Sequence, residues 1–185
     1  MKNTLLALAA VLWSGAASAA DSYVVDYEKS AVGFVATQSG REFSGAFERF
    51  TADILFSADD LENSKVVAEI DMASVDAGSG DRNEALPGRA WFDLKTHPKA
   101  VFASETFKTA PDGRYVAEGV LTMKGVSKPV ALLFSLTEEG GVTKMQGTTT
   151  LVRTDFDVGS GQWSAGDTIG LEVKVVVSLT ARLAG

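Results

Sequence analysis

The sequence predicts an all-β protein, folded as a closed antiparallel β-barrel of about eight strands with short helices near residues 81–94. Two observations predict this fold class. Apolar and polar residues alternate with a period of two along most of the chain, as in strands with one buried face. Turn-forming groups rich in glycine, proline and aspartate separate these segments at short intervals. A barrel of eight strands has an interior just wide enough for packed side chains or one small ligand.

The predicted strands succeed one another with short gaps between them. The last strand shows the pattern best, because Val173, Val175 and Val177 alternate with polar partners such as Glu172 and Lys174. No repeat, low-complexity tract or linker divides the chain, so we expect one domain over residues 20–185. The strands are predicted over residues 23–27, 31–38, 43–50, 52–57, 64–72, 100–108, 115–123, 130–136, 145–153 and 169–180.

One segment, residues 78–98, breaks the strand pattern. Asp81 is placed to cap a short helix that the Pro-Gly pair at residues 87–88 ends, and a second short helix is predicted over residues 89–94. Large apolar side chains in this segment must be covered, and they either close an open end of the barrel or simply fill its core. These side chains belong to Leu86, Trp91 and Phe92.

The first 19 residues have the pattern of a secretory signal peptide. Lys2 precedes an apolar run, and the small residues Ala17, Ser18 and Ala19 form the exit site. The apolar run is far shorter than the roughly 20 residues that span a bilayer, so it predicts cleavage rather than a membrane anchor. We therefore expect an exported protein.

The composition disfavours several classes of function. The chain has no cysteine and one histidine, His97, which leaves little material for thiol or transition-metal chemistry. Its formal net charge of −7, which becomes −8 when Lys2 is removed, disfavours binding to nucleic acid. No serine lies in a nucleophile-elbow motif, and the aspartates within residues 155–167 lack the spacing of a calcium loop. We predict no catalytic residue and no metal site, and we favour a binding protein over an enzyme.

Aromatic and methionine side chains occur in most of the predicted strands. In a solid β-structure they fill the core, whereas around a barrel they line an apolar tunnel to which flexible thioethers adapt. Strand periodicity does not distinguish a filled interior from a hollow one. It does place eight large apolar residues on the inward face, namely Phe34, Ile54, Phe56, Met72, Phe102, Phe134, Met145 and Leu151.

Three groups of residues resemble the YceI-like family of exported lipid-binding proteins. They are IDMASVD at residues 70–76 followed by Arg82, Leu86, WFD at residues 91–93, Pro98, Phe102 and Ser104; GVLTMKGVSKPV at residues 119–130; and RTDF at residues 153–156. The resemblance covers nearly all of the predicted domain. The chain departs from the family pattern at Gln38, where a histidine is common, and at Asn83, where an aspartate is expected after the arginine.

The resemblance implies an extended lipocalin-like barrel in the periplasm of a Gram-negative bacterium, without enzymatic activity. It implies that the lumen holds a polyisoprenoid or another long amphiphile for transport or storage. The segments WFD and RTDFDVGSGQW, at residues 91–93 and 153–163, resemble the branch associated with cytochrome b561-type membrane proteins. This branch suggests an isoprenoid quinone as cargo and such a membrane protein as partner, and the resemblance allows a homodimer.

The alternation of inward and outward positions along the strands and the family resemblance together predict a ligand-binding site. Its tail contacts are the eight inward residues, joined by Leu86, Trp91, Phe156 and Trp163. The predicted head-group contacts are Arg82, Arg89 and Arg153, because a guanidinium group can bind pyrophosphate or quinone oxygens. Surface ion pairing is the alternative for each arginine. The alternative function is a filled, non-catalytic barrel that docks to a membrane redox partner through its acidic surface.

Overall fold

The computed structural model describes residues 20–185 and shows an all-β chain that has, in that range, one short α-helix and five 3-10 helices of a single turn each. The 3-10 helices are Tyr27–Lys29, Leu61–Asn63, Met72–Ser74, Arg153–Phe156 and Gly161–Trp163. The signal peptide predicted over residues 1–19 lies outside the described residues. The strands are β1 (Asp21–Val25), β2 (Ala31–Gln38), β3 (Arg41–Phe47), β4 (Phe50–Phe56), β5 (Lys65–Asp71), β6 (Val75–Asp76), β7 (Lys99–Thr109), β8 (Tyr115–Met123), β9 (Val126–Glu139), β10 (Val142–Val152) and β11 (Glu172–Leu183).

Eight of these strands form a closed barrel, which confirms the predicted fold class. Their order around the barrel is β1, β4, β5, β7, β8, β9, β10 and β11, and every neighbouring pair is antiparallel. The ring closes where β1 pairs with β11, with Tyr23 opposite Leu183. Closure gives every strand of this ring a neighbour on both sides, so none of them is an edge strand.

Strand β11 has two different neighbours along one edge. Its residues 174–178 pair with β2, and its residues 181–183 pair with β1. Between them the carbonyl oxygen of Thr180 accepts a hydrogen bond from the Asp26 N–H at 2.8 Å, and the Thr180 N–H donates to Ser30 Oγ at 2.9 Å. The strands β1 and β2 are therefore two parts of one wall. Strands β3 and β6 extend this wall beside β2, at one end of the barrel.

Three hairpins are joined by two-residue turns, at residues 39–40, 124–125 and 140–141. Both residues of each turn have positive φ, for example 50° at Lys124 and 75° at Gly125. This geometry defines a type I′ turn, whose twist matches that of the strands that it joins. The turns therefore hold the registers of β2 with β3, of β8 with β9 and of β9 with β10.

A covering segment, residues 77–98, closes the end of the barrel at which β2 and β3 extend the wall. It contains the helix α1 (Gly80–Ala85), which is followed by consecutive turns. A hydrophobic cluster lies between this segment and the barrel, and its buried members are Met72, Phe92, Ala100, Leu121, Phe156 and Val158. No helix within residues 20–185 is long and apolar enough to cross a membrane.

The second helix predicted over residues 89–94 is wrong, because this stretch forms turns. The N–H groups of Trp91 and Asp93 both donate to the Gly88 carbonyl oxygen, at 2.9 Å and 3.0 Å. Two donors on one carbonyl, with Asp93 at a φ of 49°, reverse the chain instead of extending a helix. The turns bring Trp91 and Phe92 against the barrel end.

Some predicted strand boundaries are also wrong. Strand β3 ends at Phe47, because residues 48–49 bend the chain back into β4. Strand β9 begins at Val126 instead of residue 130, since the tight turn before it uses two residues only. Strand β11 begins at Glu172, and Ile169 makes a single bridge with Gln38. The predictions read apolar alternation as continuous strand, whereas bends and turns interrupt the hydrogen-bonded ladder.

Candidate ligand-binding lumen

The barrel is hollow, which answers the question that periodicity left open. Its inner chamber has a volume of about 180 Å³, and the surface that it exposes is apolar. Every lining residue lies on a strand of the sheet. The lining residues are Tyr23, Val32, Phe50, Ala52, Ile54, Phe56, Val66, Ala68, Ile70, Phe102, Phe107, Ala117, Leu121, Val130, Leu132, Phe134, Leu136, Thr143, Met145, Thr149, Leu151, Val175, Val177, Leu179 and Ala181.

The outer chamber is larger, at about 440 Å³, and lies under the covering segment. Strands line one side of it, and the covering segment and the loop of residues 153–169 line the other side. The lining residues are Val32, Phe34, Ala36, Gln38, Phe43, Phe47, Ile70, Met72, Ala77, Asp81, Arg82, Ala85, Leu86, Trp91, Phe92, Ala100, Leu121, Met123, Leu151, Arg153, Val158, Trp163, Ile169, Val173 and Val175.

The two chambers adjoin and form one lumen. Five apolar residues line both of them, namely Val32, Ile70, Leu121, Leu151 and Val175. An aromatic cluster at the far end of the inner chamber surrounds Phe134, with ring centroids at 5.7 Å from Phe56 and 5.5 Å from Tyr115. A long apolar chain that extends from the outer chamber toward this cluster would therefore contact apolar side chains of both chambers.

Small residues at inward positions keep the lumen empty. Ala52 of β4 lies directly opposite Ala68 of β5, and both line the inner chamber. Ala117 and Ala181 line it from β8 and β11. An alanine leaves a gap of several methylene groups where a leucine or phenylalanine would fill the interior. These small residues were not among the predicted site residues, although the same alternation along the strands places them on the inward face.

The charged and amide side chains that line the lumen lie in the outer chamber, whereas the polar residues of the inner chamber carry hydroxyl groups only. Arg82 of α1 donates from Nε to the Ala77 carbonyl oxygen at 2.8 Å and from Nη1 to Gln38 Oε1 at 2.9 Å. Its guanidinium group also lies over the Phe43 ring, 4.1 Å from the centroid. Within the described chain, Nη2 donates no hydrogen bond, so it is free to bind a ligand oxygen in the chamber. Asp81 adds a carboxylate beside it.

Arg153 also lines the outer chamber, but its donors are already used. It is 3% exposed and donates five hydrogen bonds to backbone carbonyl oxygens, those of Val158, Gly159, Trp163, Ile169 and Gly170. No carboxylate among residues 20–185 forms an ion pair with it, and burial lowers the pKa of its guanidinium group. The Trp91 ring lies 5.6 Å from the guanidinium carbon. Arg153 therefore holds the loop of residues 158–170 in place.

The structure brings most of the predicted site residues to the lumen. Phe34, Met72, Arg82, Leu86, Trp91, Arg153 and Trp163 line the outer chamber; Ile54, Phe56, Phe102, Phe134 and Met145 line the inner one; and Leu151 lines both. Two predicted residues lie elsewhere. Arg89 is exposed on the covering segment, and Phe156 is buried at 2% exposure in the cluster beneath it. Gln38 and Asp81 also line the outer chamber but were not predicted as site residues, and Gln38 meets its partner Arg82 from 44 positions away in the chain.

The departures from the family pattern have local partners in this structure. Asn83 accepts a hydrogen bond from the Ala77 N–H at 2.7 Å and donates one to Asp76 Oδ1 at 2.9 Å. Gln38 orients Arg82, as described above. Among the described residues, no group of three histidine, aspartate or glutamate side chains is placed to hold a metal ion.

The fold and the lumen define a class of protein, a lipocalin-like β-barrel with an apolar interior cavity. Residues 23–181 match the YceI-like domain, so the chain belongs to the YceI-like family. It is 31% identical to a UPF0312 protein of Ectopseudomonas mendocina, over 95% of this chain and 97% of that relative.

Solved structures share the same fold. BcnA of Burkholderia cenocepacia superposes with a TM-score of 0.81 at 31% identity, covering 85% of this chain and 99% of that one. A polyisoprenoid binding domain from Saccharophagus degradans superposes with a TM-score of 0.70 at 14% identity, covering 89% and 99%. The second likeness concerns the fold alone.

Proposed function

We propose that this protein is a non-catalytic periplasmic carrier that holds the hydrocarbon tail of an isoprenoid lipid in its lumen. One observation carries the proposal: two adjoining chambers share apolar lining residues, and the charged side chains that line them lie in the outer chamber. An amphiphile in this lumen places its tail in the inner chamber and its head beside Arg82. The polyisoprenoid binding domain of the same fold supports an isoprenoid tail.

Energetic considerations indicate the tail length. Burying one isoprenoid unit of five carbons contributes roughly 4 kcal/mol, at about 0.8 kcal/mol for each carbon group. Association and ordering oppose binding by about 4–15 kcal/mol. One unit therefore gives no useful affinity, whereas about three units contribute roughly 12 kcal/mol, which exceeds this opposing free energy over most of its range. We expect tails of at least the length of farnesol to bind.

The head group that we propose is that of an isoprenoid quinone. Two tryptophans, Trp91 and Trp163, line the outer chamber with ring centroids 5.9 Å apart, and Arg82 offers one free nitrogen there. Aromatic walls suit a planar ring, and a single donor suits a carbonyl oxygen better than a diphosphate. Docking to a cytochrome b561-type membrane protein and formation of a homodimer stay predictions from the resemblance.

Two adjacent positions on β5 provide a matched test of the lumen. The side chain of Ala68 lies in the inner chamber, whereas that of Val67 is 42% exposed on the outer face. We expect the substitution A68F to fill the chamber and abolish the binding of farnesol and of a short-tailed ubiquinone. The substitution V67F adds a ring at the same height of the barrel, and we expect it to leave both affinities unchanged.

Native mass spectrometry of the protein with each probe measures this difference, and circular dichroism shows that both variants are folded. Binding to A68F with unchanged affinity would contradict the placement of the tail. Failure of the unsubstituted protein to bind either probe would contradict the function itself.

A further inference from the structure

Two glycines of the barrel wall lie directly behind side chains that line the inner chamber. Gly119 of β8 and Gly147 of β10 occupy inward positions, because the residues two places along each strand face the lumen. Neither glycine lines the chamber, since neighbouring side chains cover both of them. A glycine inside a strand is unfavourable by roughly 0.5–1 kcal/mol relative to alanine, and it often marks a close approach of another group.

At Gly119 the covering group is an aromatic ring from the adjacent strand. A Cβ atom at this position would lie 2.7 Å from Cζ and 2.8 Å from Cε2 of Phe102, and it would also contact the Ala103 carbonyl oxygen. These distances are too short for real carbon atoms, so the ring occupies the space that a side chain would need. Phe102 therefore lies flat against the wall instead of projecting toward the barrel axis.

At Gly147 the covering groups are the ends of two flexible side chains and the Cβ atom of Phe134, which lies directly opposite on β9. A Cβ atom there would lie 3.2 Å from Met145 Sδ and 3.3 Å from both Leu132 Cδ1 and Phe134 Cβ. An added methyl group would shift these side chains by a few tenths of an ångström into the chamber. These three distances are longer than those found at Gly119, so the barrel can accept the change at Gly147 more readily.

We propose that Gly119 and Gly147 set the bore of the inner chamber and thereby make it wide enough for a methyl-branched tail. This inference depends on the proposed function. A straight alkyl chain is slim, whereas an isoprenoid chain carries a methyl branch at every fourth carbon and needs more width. Side chains at these two positions would move Phe102, Met145 and Leu132 inward, which excludes the branches before it excludes the main chain.

The substitution G147A tests this proposal, with farnesol as the branched probe and dodecan-1-ol as a straight alcohol of the same main-chain length. We expect the dissociation constant for farnesol to rise about tenfold, which corresponds to losing the burial of about two carbon groups. For dodecan-1-ol we expect a rise of less than about twofold on the same scale. Titration followed by native mass spectrometry gives both values.

Gly33 of β2 offers a matched control. It is also a strand glycine, but it faces outward, and the nearest atom to an added Cβ is the Gly45 carbonyl oxygen at 3.4 Å. The substitution G33A should leave both dissociation constants unchanged. The substitution G119A would bring a Cβ atom against the backbone and could misfold the protein, so F102L is the second variant. It replaces the ring that covers Gly119 with a smaller side chain and thereby widens the chamber. We expect F102L to favour farnesol over dodecan-1-ol.

The outcomes separate the inference from the proposed function. Equal weakening of both probes by G147A, or no weakening, would overturn the role of the glycines while the carrier function stands. A loss of farnesol binding in G33A would also overturn it, since the effect would then be general to strand glycines. If the unsubstituted protein binds neither probe, the carrier function fails.

Discussion

The inner and outer chambers share part of their wall but are built from different kinds of structure. Strands alone enclose the inner chamber, whereas α1, turns and the loop of residues 153–169 complete the outer one. Strand side chains alternate strictly between the two faces, so every second residue lines the inner chamber. Loop side chains obey no such period, and the outer chamber depends on hydrogen bonds between segments far apart in sequence. The inner chamber, the proposed tail site, is therefore formed by the regular strands alone, whereas the outer chamber, the proposed head site, depends on contacts between separate segments.

The largest effect that we predict concerns the loop that completes the wall of the outer chamber. Replacing Arg153 with methionine leaves five backbone carbonyl oxygens without their donor. Unsatisfied buried groups are unfavourable by about 1–3 kcal/mol each, and some will find water, so we expect a loss of about 3–5 kcal/mol in the free energy of unfolding. Urea denaturation measures this loss.

The exposed Arg89 is the control for this substitution. It lies near the same end of the barrel, and R89M should change the free energy of unfolding by less than about 0.5 kcal/mol. Equal effects of the two substitutions would show that the loop of residues 158–170 does not depend on Arg153.

A smaller effect, on ligand binding, is predicted at Arg82. The substitution R82L removes the free donor at the head of the lumen but leaves the inner chamber intact. A hydrogen bond from a charged donor contributes about 1.5–3 kcal/mol when buried, and partial exposure reduces this, so a short-tailed ubiquinone should bind about three- to tenfold more weakly. Binding of squalene, which has no head group, should not change. Fluorescence of Trp91 and Trp163 in the outer chamber gives both affinities.

If R82L weakens the two ligands equally, the head does not bind at Arg82, and the outer chamber serves only as an entrance. That result would remove the distinction between a tail chamber and a head chamber.

The smallest predicted effect is a pH dependence in the covering segment. Hydrogen bonds from the Asn83 side chain and from the Gly78 N–H lower the pKa of Asp76. A carboxyl group whose pKa is lowered by folding stabilises the fold above its unfolded pKa, and this contribution disappears as the pH falls through the folded value. We expect N83A to raise the pKa of Asp76 toward its ordinary value and to weaken the acid dependence of stability. Titration by NMR of Asp76 in both proteins checks the direction, and an unchanged pKa would contradict it.

The sequence predicted the tail chamber better than the head chamber for the same structural reason. Period-two alternation placed Ile54, Phe56 and Phe134 on the inward face, and the structure finds them in the inner chamber. The roles of Gln38 and Arg82 depend on a contact between residues 44 positions apart, which no local pattern reveals. The residue type of Arg153 suggested a contact with the ligand head group, but its donors bind backbone carbonyl oxygens instead. The sequence does not show which carbonyl oxygens will surround a side chain in the folded protein.

The sequence by itself determined the all-β class, the faces of the strands and the absence of thiol chemistry, since these follow from local alternation and composition. The tertiary structure decided that the barrel is hollow, that β11 pairs with both β1 and β2, and that Arg153 supports a loop. The physical reason is that alternation specifies the direction of each side chain but not how far it reaches across the barrel. The space left empty depends on the sizes of residues that only the closed sheet brings face to face.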